Sequence, residues 1–254
     1  MKDGVLPRRG IAPRAKYADE EGSTPRDFPA PGGPHRVYVA VTNHCNRACP
    51  WCSTCSSPAG DSWLSMEGYI KSFPDKGPFE IHLEGGEPTL HPLFRQFIAA
   101  ALADPRCVRV MVCANGSTIP QEAGEMGRWV DSLGGPVAIK LSINHHLLER
   151  GPGLMDLAVA LARVMEARGL ALVINVRLRK GVAGDDAAVR SAVREAGLLP
   201  LSNVFFLRRY GLAANEMGWD PPILVGDNFR MVNPDGAIFG PDLTARSEAM
   251  RRLP

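Results

Sequence analysis

Between Arg36 and Arg209 the chain repeats one unit, a short strand-forming run followed by a helical one, and this alternation limits the folds open to it. RVYVAVT, FEIHLEG, VRVMVCA, PVAIKLSI, LALVINVRL and NVFFLRR read as strands. Helices are predicted in SMEGYIKSF with Ser65 as N-cap, HPLFRQFIAAALAD, PQEAGEMGRWVDSL with Pro120 near its first turn, LMDLAVALARVMEARG ending at Gly169, and DDAAVRSAVREAG. Six strands joined by five crossover segments predict an α/β fold with a parallel sheet and right-handed crossovers.

Side-chain parity chooses between an open sheet and a barrel. Alternate strand residues face opposite sides, so His82 shares a face with Glu84, Lys140 with Ser142 and Asn144, and Asn175 with Arg177. An open sheet covered by helices is apolar on both faces, whereas a barrel around a ligand is polar inside. The expectation is an incomplete (β/α)6, TIM-like barrel. The competing reading places these polar residues exposed at the strand ends.

With 254 residues, 45% of them hydrophobic, the chain can bury one large core, and a single α/β domain over residues 36–210 is expected. Residues 1–35 carry Pro7, Pro13, Pro25, Pro29, Pro31 and Pro34 among glycines and charges. They read as a partly disordered N-terminal arm or as a cap on one end of the barrel. Residues 211–254 read as a short extension with a hairpin in NFRMVNPDGAIFG, turning at Pro234, Asp235 and Gly236.

A formal charge of +2, from 29 basic and 27 acidic residues, argues against a nucleic-acid partner held by bulk electrostatics. No stretch of 18 apolar residues exists and the first residues have no apolar signal core, so a soluble cytoplasmic protein with no membrane partner is expected.

Four of the six cysteines, Cys45, Cys49, Cys52 and Cys55, fall within TNHCNRACPWCSTC. In a reducing compartment such clusters are metal ligands or redox groups more often than disulfides. Structural zinc sites use two separated CxxC-like pairs, ferredoxin-type loops run CxxCxxCxxxC, and redox motifs are a lone CxxC before a helix. None of these fits. The remaining reading is that Cys45, Cys49 and Cys52 hold three irons of a four-iron, four-sulfur cluster and leave the fourth iron open.

CNRACPWC resembles the CxxxCxΦC signature of the radical S-adenosylmethionine superfamily, with Trp51 as the aromatic Φ, and LEGGEPTLHP resembles that family's GGE motif at the end of the second strand. The resemblance implies a [4Fe–4S] cluster and S-adenosylmethionine as cofactors, with Gly85, Gly86 and Glu87 at the methionyl amino group. It implies reductive cleavage of S-adenosylmethionine to a 5'-deoxyadenosyl radical that abstracts hydrogen from substrate, and an electron donor such as flavodoxin or ferredoxin. Asn115, Ser142, Asn144, Asn175 and Arg177 match positions that contact ribose and carboxylate. Family members often carry aspartate where Asn144 stands, which favours Ser142, and Arg177 is the best carboxylate partner. As alternatives, GGEP is only a turn and Trp51 only a core anchor.

His82, Glu84, Lys140 and His145 are candidates for lumen residues that touch substrate or move protons. Cys55 departs from the three-cysteine pattern and is read as a spectator, a stabiliser of the cluster's surroundings or a catalytic group. Cys107 and Cys113 read as buried small hydrophobes. No cysteine follows Cys113, so a second cluster is not expected. The function expected is radical chemistry on a small metabolite in a biosynthetic pathway, with peptide modification and a non-catalytic iron–sulfur or zinc protein as alternatives.

Overall fold

The computed structural model describes residues 33–179, 183–215 and 228–254; the expected N-terminal arm lies outside them up to position 32. Eight strands, β1 (His35–Thr42), β2 (Phe79–Gly85), β3 (Cys107–Ala114), β4 (Val137–Ile143), β5 (Leu172–Leu178), β6 (Ser202–Phe206), β7 (Phe229–Val232) and β8 (Ile238–Phe239), form one sheet. Its order is β6-β5-β4-β3-β2-β1-β7-β8. Strands β1 to β6 pair as parallel neighbours in chain order, β7 adds parallel to β1, and β8 folds back antiparallel on β7. The fold is therefore a mixed α/β fold built on a parallel sheet.

Seven helices accompany the sheet among the described residues: α1 (Met66–Lys71), α2 (Phe94–Ala103), α3 (Ala123–Asp131), α4 (His145–Arg150), α5 (Leu154–Ala167), α6 (Ala183–Glu195) and α7 (Leu243–Arg251). In α2 the buried residues Phe94, Phe97, Ile98 and Ala101 recur at helical spacing, as do Leu154, Leu157, Ala158, Leu161 and Met165 in α5. They pack on the strand residues of one parity. Val37, Val39, Ile81, Leu83, Val110 and Val112 join one apolar cluster, and Ile139, Leu141, Ile174 and Val176 join another. Each fully buried side chain of this size contributes about 1.5–3 kcal/mol. The sequence reading placed a single helix between β4 and β5, whereas α4 precedes α5 there, opened by Asn144, whose Oδ1 accepts from the Leu147 N–H at 3.0 Å.

The opposite parity is polar. Near the start of the strands Glu80 bonds to both Arg36 and Arg109, and His82 Nε2 lies 3.2 Å from Glu80 Oε1. Burial opposes ionisation of Glu80, yet the His82 hydrogen bond and the two guanidinium charges hold its carboxyl well below the usual range. Tyr38 covers His82 with ring centroids 4.4 Å apart. This cluster lies on the same face of the sheet as Glu84 and Lys140, nearer the strand starts.

Candidate functional site

The C-terminal ends of the parallel strands are where loops gather in such folds, and the first of these loops carries the cysteines. It is pinned by β-bridges between Thr42 and Trp63 and between His44 and Ser57. Cys45 is buried and Cys49 and Cys52 are half-buried, and all three border one cavity of about 270 Å3. Two of the sulfurs have donors, Asn115 Nδ2 at 3.6 Å from Cys45 Sγ and the Ser56 N–H at 3.4 Å from Cys52 Sγ, and Thr54 Oγ1 lies 3.3 Å from Cys52 Sγ. Burial pushes the Cys45 thiol up to about 12 and the Cys49 thiol up to about 11; Cys52 adds to both, and the Arg177 and Arg47 charges oppose the rise at Cys49. Among the described residues no three His, Cys, Asp or Glu side chains converge as ligands of a single metal ion.

Two glycines lock this loop to β2. Gly85 has a φ of +123°, and a Cβ on Gly86 would stand 1.8 Å from the carbonyl oxygen of His44, the residue before Cys45. The Gly86 N–H donates to Thr42 O at 2.7 Å and the Glu87 N–H to His44 O at 2.9 Å. Thr54 Oγ1 donates to Gly85 O at 2.9 Å from the other end of the loop. Gly85 and Gly86 both border the cavity.

Glu87 does not line the cavity. It is fully buried, its Oε1 accepts from Thr89 Oγ1 at 2.6 Å, and its Oε2 accepts from the Asn115 main-chain N–H at 2.7 Å. Burial raises its pKa against these donors. Through these bonds Glu87 ties the turn after β2 to the residue that follows β3.

Of the strand residues selected by parity, all but His82 meet: Glu84, Lys140, Ser142, Asn144, Asn175 and Arg177 border the cavity, as does Asn115 after β3. Asn175 is buried and its Oδ1 has no hydrogen-bond partner among the described residues. The Arg177 guanidinium lies 5.3 Å from the Phe205 ring centroid. Trp51 borders the cavity and also packs with Leu207 and Ala213, while Arg179 stacks over its ring at 5.0 Å. It is thus both cavity wall and anchor.

Three candidates lie apart. His82 is buried on Glu80 below the cavity, and burial lowers its pKa. His145 faces Asp185 at 3.5 Å. Cys55 has a φ of +53° and its Sγ lies 3.8 Å from the Ser247 carbonyl oxygen, outside the cavity wall. The sequence reading missed Arg246, which reaches the cavity from α7 and places Nη1 2.6 Å from Glu84 Oε1. Nothing in the polar pattern of that helix marks it. Arg47, inside the cysteine motif, also lines the cavity and was equally overlooked.

No family model matches the chain. It is 24% identical over 161 residues to a GTP 3',8-cyclase of Chlorobaculum tepidum, covering 59% of this chain and 47% of that protein. It is 29% identical over 109 residues to a GTP 3',8-cyclase of Vibrio atlanticus, covering 39% and 32%. The matches thus span less than half the length of these curated relatives. Among solved structures, Streptococcus suis SuiB bound to the precursor peptide SuiA aligns with a TM-score of 0.56 at 12% identity, covering 84% of this chain and 60% of that one. SuiB bound to S-adenosylmethionine aligns with a TM-score of 0.53 at 13% identity, covering 81% and 60%. At these identities the structural likeness is one of fold.

Proposed function

We propose that this chain is a radical S-adenosylmethionine enzyme that acts on a small metabolite in a biosynthetic pathway, with Cys45, Cys49 and Cys52 holding a [4Fe–4S] cluster. The observation that carries this reading is convergence: three cysteines of the CxxxCxΦC loop, the glycines of the GGE motif and the polar face of β2 to β5 border one cavity. The similarity to GTP 3',8-cyclases and the fold shared with SuiB support it.

The donor set suits such a cluster. Three thiolates on three different irons need not converge on one point, which accords with the lack of a single-ion site among the described residues. Donors aimed at the sulfurs of Cys45 and Cys52 are of the kind that tune iron–sulfur potentials. Because burial favours the protonated thiols, ligation releases protons and loading is favoured by higher pH. Held by Cys45, Cys49 and Cys52, the cluster would supply one electron, drawn from a carrier such as flavodoxin or ferredoxin, for breaking the sulfur to 5'-carbon bond of S-adenosylmethionine into methionine and a 5'-deoxyadenosyl radical.

The chain's own residues bind and orient. Gly85 and Gly86 bring β2 main chain to the methionyl amino group, Arg177 takes the methionyl carboxylate, and Asn115, Ser142, Asn144 and Asn175 offer hydrogen bonds to the rest of the cofactor. Glu87 holds the end of β3 in place, and Trp51 closes one wall.

An incomplete barrel is part of this reading. Laid flat, the strands from β6 to β7 would span roughly 29 Å, at about 4.8 Å per neighbour. Asn203 of β6 and Met231 of β7 nevertheless line the same cavity, which supports a sheet curled around it. Leu243, Arg246 and Ser247 of α7 border the cavity as well, which suits a small substrate. The test is the electron paramagnetic resonance spectrum of the reconstituted, reduced protein. Added S-adenosylmethionine should shift the cluster signal, and an unchanged signal at saturating concentrations would refute cofactor binding at the open iron.

A further inference from the structure

The cavity is far more basic than the chain around it. The whole sequence carries a formal charge of +2, yet Arg47, Lys140, Arg177, Arg208 and Arg246 line the cavity, with Glu84 the one carboxylate among the described lining residues. Low-dielectric walls lined by one sign of charge concentrate ions of the other sign.

These cations lie at two depths. Ser142 and Asn175 share a rung of the sheet, Arg177 and Phe205 the next inward-facing rung, whereas Lys140 stands two residues earlier on β4 beside Cys113. At about 3.3 Å per residue, Lys140 is roughly 7 Å farther than Ser142 from the strand ends that carry the cysteine loop. Arg246 reaches a similar depth. Its partner Glu84 directly follows Leu83, which pairs with Val112 next to Cys113.

Arg246 is held there with capacity to spare. It is 6% exposed, its Nε donates to Asn233 Oδ1 at 3.0 Å, and its Nη2 has no acceptor among the described residues. Asn175 Oδ1 likewise lacks a donor. A buried guanidinium N–H and a buried amide oxygen left without partners are costly, and a polar ligand removes that cost.

We propose that the deep end of the cavity binds an oxyanion group of the substrate, phosphate or carboxylate, between Lys140 and Arg246, with Glu84 as the counter-ion of Arg246 before substrate arrives. The assignment rests on the proposed function, because with Arg177 near the strand ends taken by the carboxylate of S-adenosylmethionine, substrate lies toward the rung of Lys140 and Arg246. Asn175 Oδ1 is then placed to accept from a substrate hydroxyl or amine.

The test titrates inorganic phosphate, and malonate in parallel, into reconstituted protein saturated with S-adenosylmethionine, at ionic strength fixed with chloride. Calorimetry should show saturable binding of at least one anion, weakened about tenfold in Lys140→Gln and tightened in Glu84→Gln, where a competing negative charge is gone. The preferred anion identifies the group, and opposite responses cannot come from a common folding defect. No saturable binding of either anion, or binding that the two substitutions leave alone or move in the same direction, would overturn the proposal. Binding of S-adenosylmethionine is measured on the same preparation without phosphate. Its absence alongside the expected anion responses would sink the cofactor reading and leave the anion site standing.

Discussion

The main-chain N–H of Asn115 donates to Oε2 of Glu87 at 2.7 Å, and the side-chain amide of the same residue lies 3.6 Å from Sγ of Cys45. One residue at the end of β3 therefore joins the GGE motif to the cysteine loop. The buried carboxylate fixes the main chain from which a donor to the proposed cluster ligand is hung.

Glu87→Ala leaves the Asn115 N–H and the Thr89 hydroxyl without their acceptor in a buried place, and a loss of about 2 kcal/mol is expected. Chemical denaturation of the purified chain measures it. Glu87→Gln, which keeps an acceptor oxygen, should recover part of the loss.

Gly86→Ala forces a methyl group onto the His44 carbonyl. Overpacking of this kind costs about 1–3 kcal/mol, and here it displaces the start of the cysteine loop. Iron and sulfide content after reconstitution should fall well below that of wild type. Gly240→Ala, where an added Cβ meets nothing within 4 Å, serves as the control and should load fully.

The Glu80 cluster sets an acid limit. Its folded-state pKa is depressed, so its contribution is complete above the ordinary carboxylate value near 4.3 and is lost as pH falls toward the folded-state value. Glu80→Gln should lower stability by about 3 kcal/mol at pH 7, because Arg36 and Arg109 lose their buried counter-charge. The difference from wild type should shrink below about pH 4 in thermal unfolding. A difference that stays constant from pH 7 to pH 3 would contradict the assignment.

Much of this arrangement is legible in the sequence because it is periodic. Strand alternation alone groups Glu84, Lys140, Ser142, Asn175 and Arg177 on the face that borders the cavity, since each strand has only two faces and the other is filled by Val, Ile and Leu. What stays hidden is nonlocal. The pairing of β7 with β1 depends on chain that returns from the far edge of the sheet, so NFRMV reads only as half of a hairpin. Arg246 lies in a polar helix whose pattern gives no sign that one face enters a cavity. Glu87 is legible as a motif, but its bond to the Asn115 main chain is not, because that contact joins the ends of two different strands.

Cys55 and Cys49 should behave oppositely. Cys55 lies outside the cavity wall against Ser247, so Cys55→Ser should retain wild-type iron content. Cys49→Ala should bind no intact cluster, as followed by the visible absorption of the reconstituted protein.

Arg177→Met removes the forked donor assigned to the methionyl carboxylate, and the affinity for S-adenosylmethionine should drop about tenfold or more in equilibrium dialysis. An unchanged affinity would move the carboxylate to Arg47, the other guanidinium whose charge acts on Cys49.

Radical chemistry at this site is read from the amount of 5'-deoxyadenosine formed when reconstituted protein is reduced with dithionite in the presence of S-adenosylmethionine. Wild type should form it, and Cys49→Ala none above background. Wild-type protein with a fully loaded cluster that yields no more 5'-deoxyadenosine than that variant would contradict radical chemistry at this site.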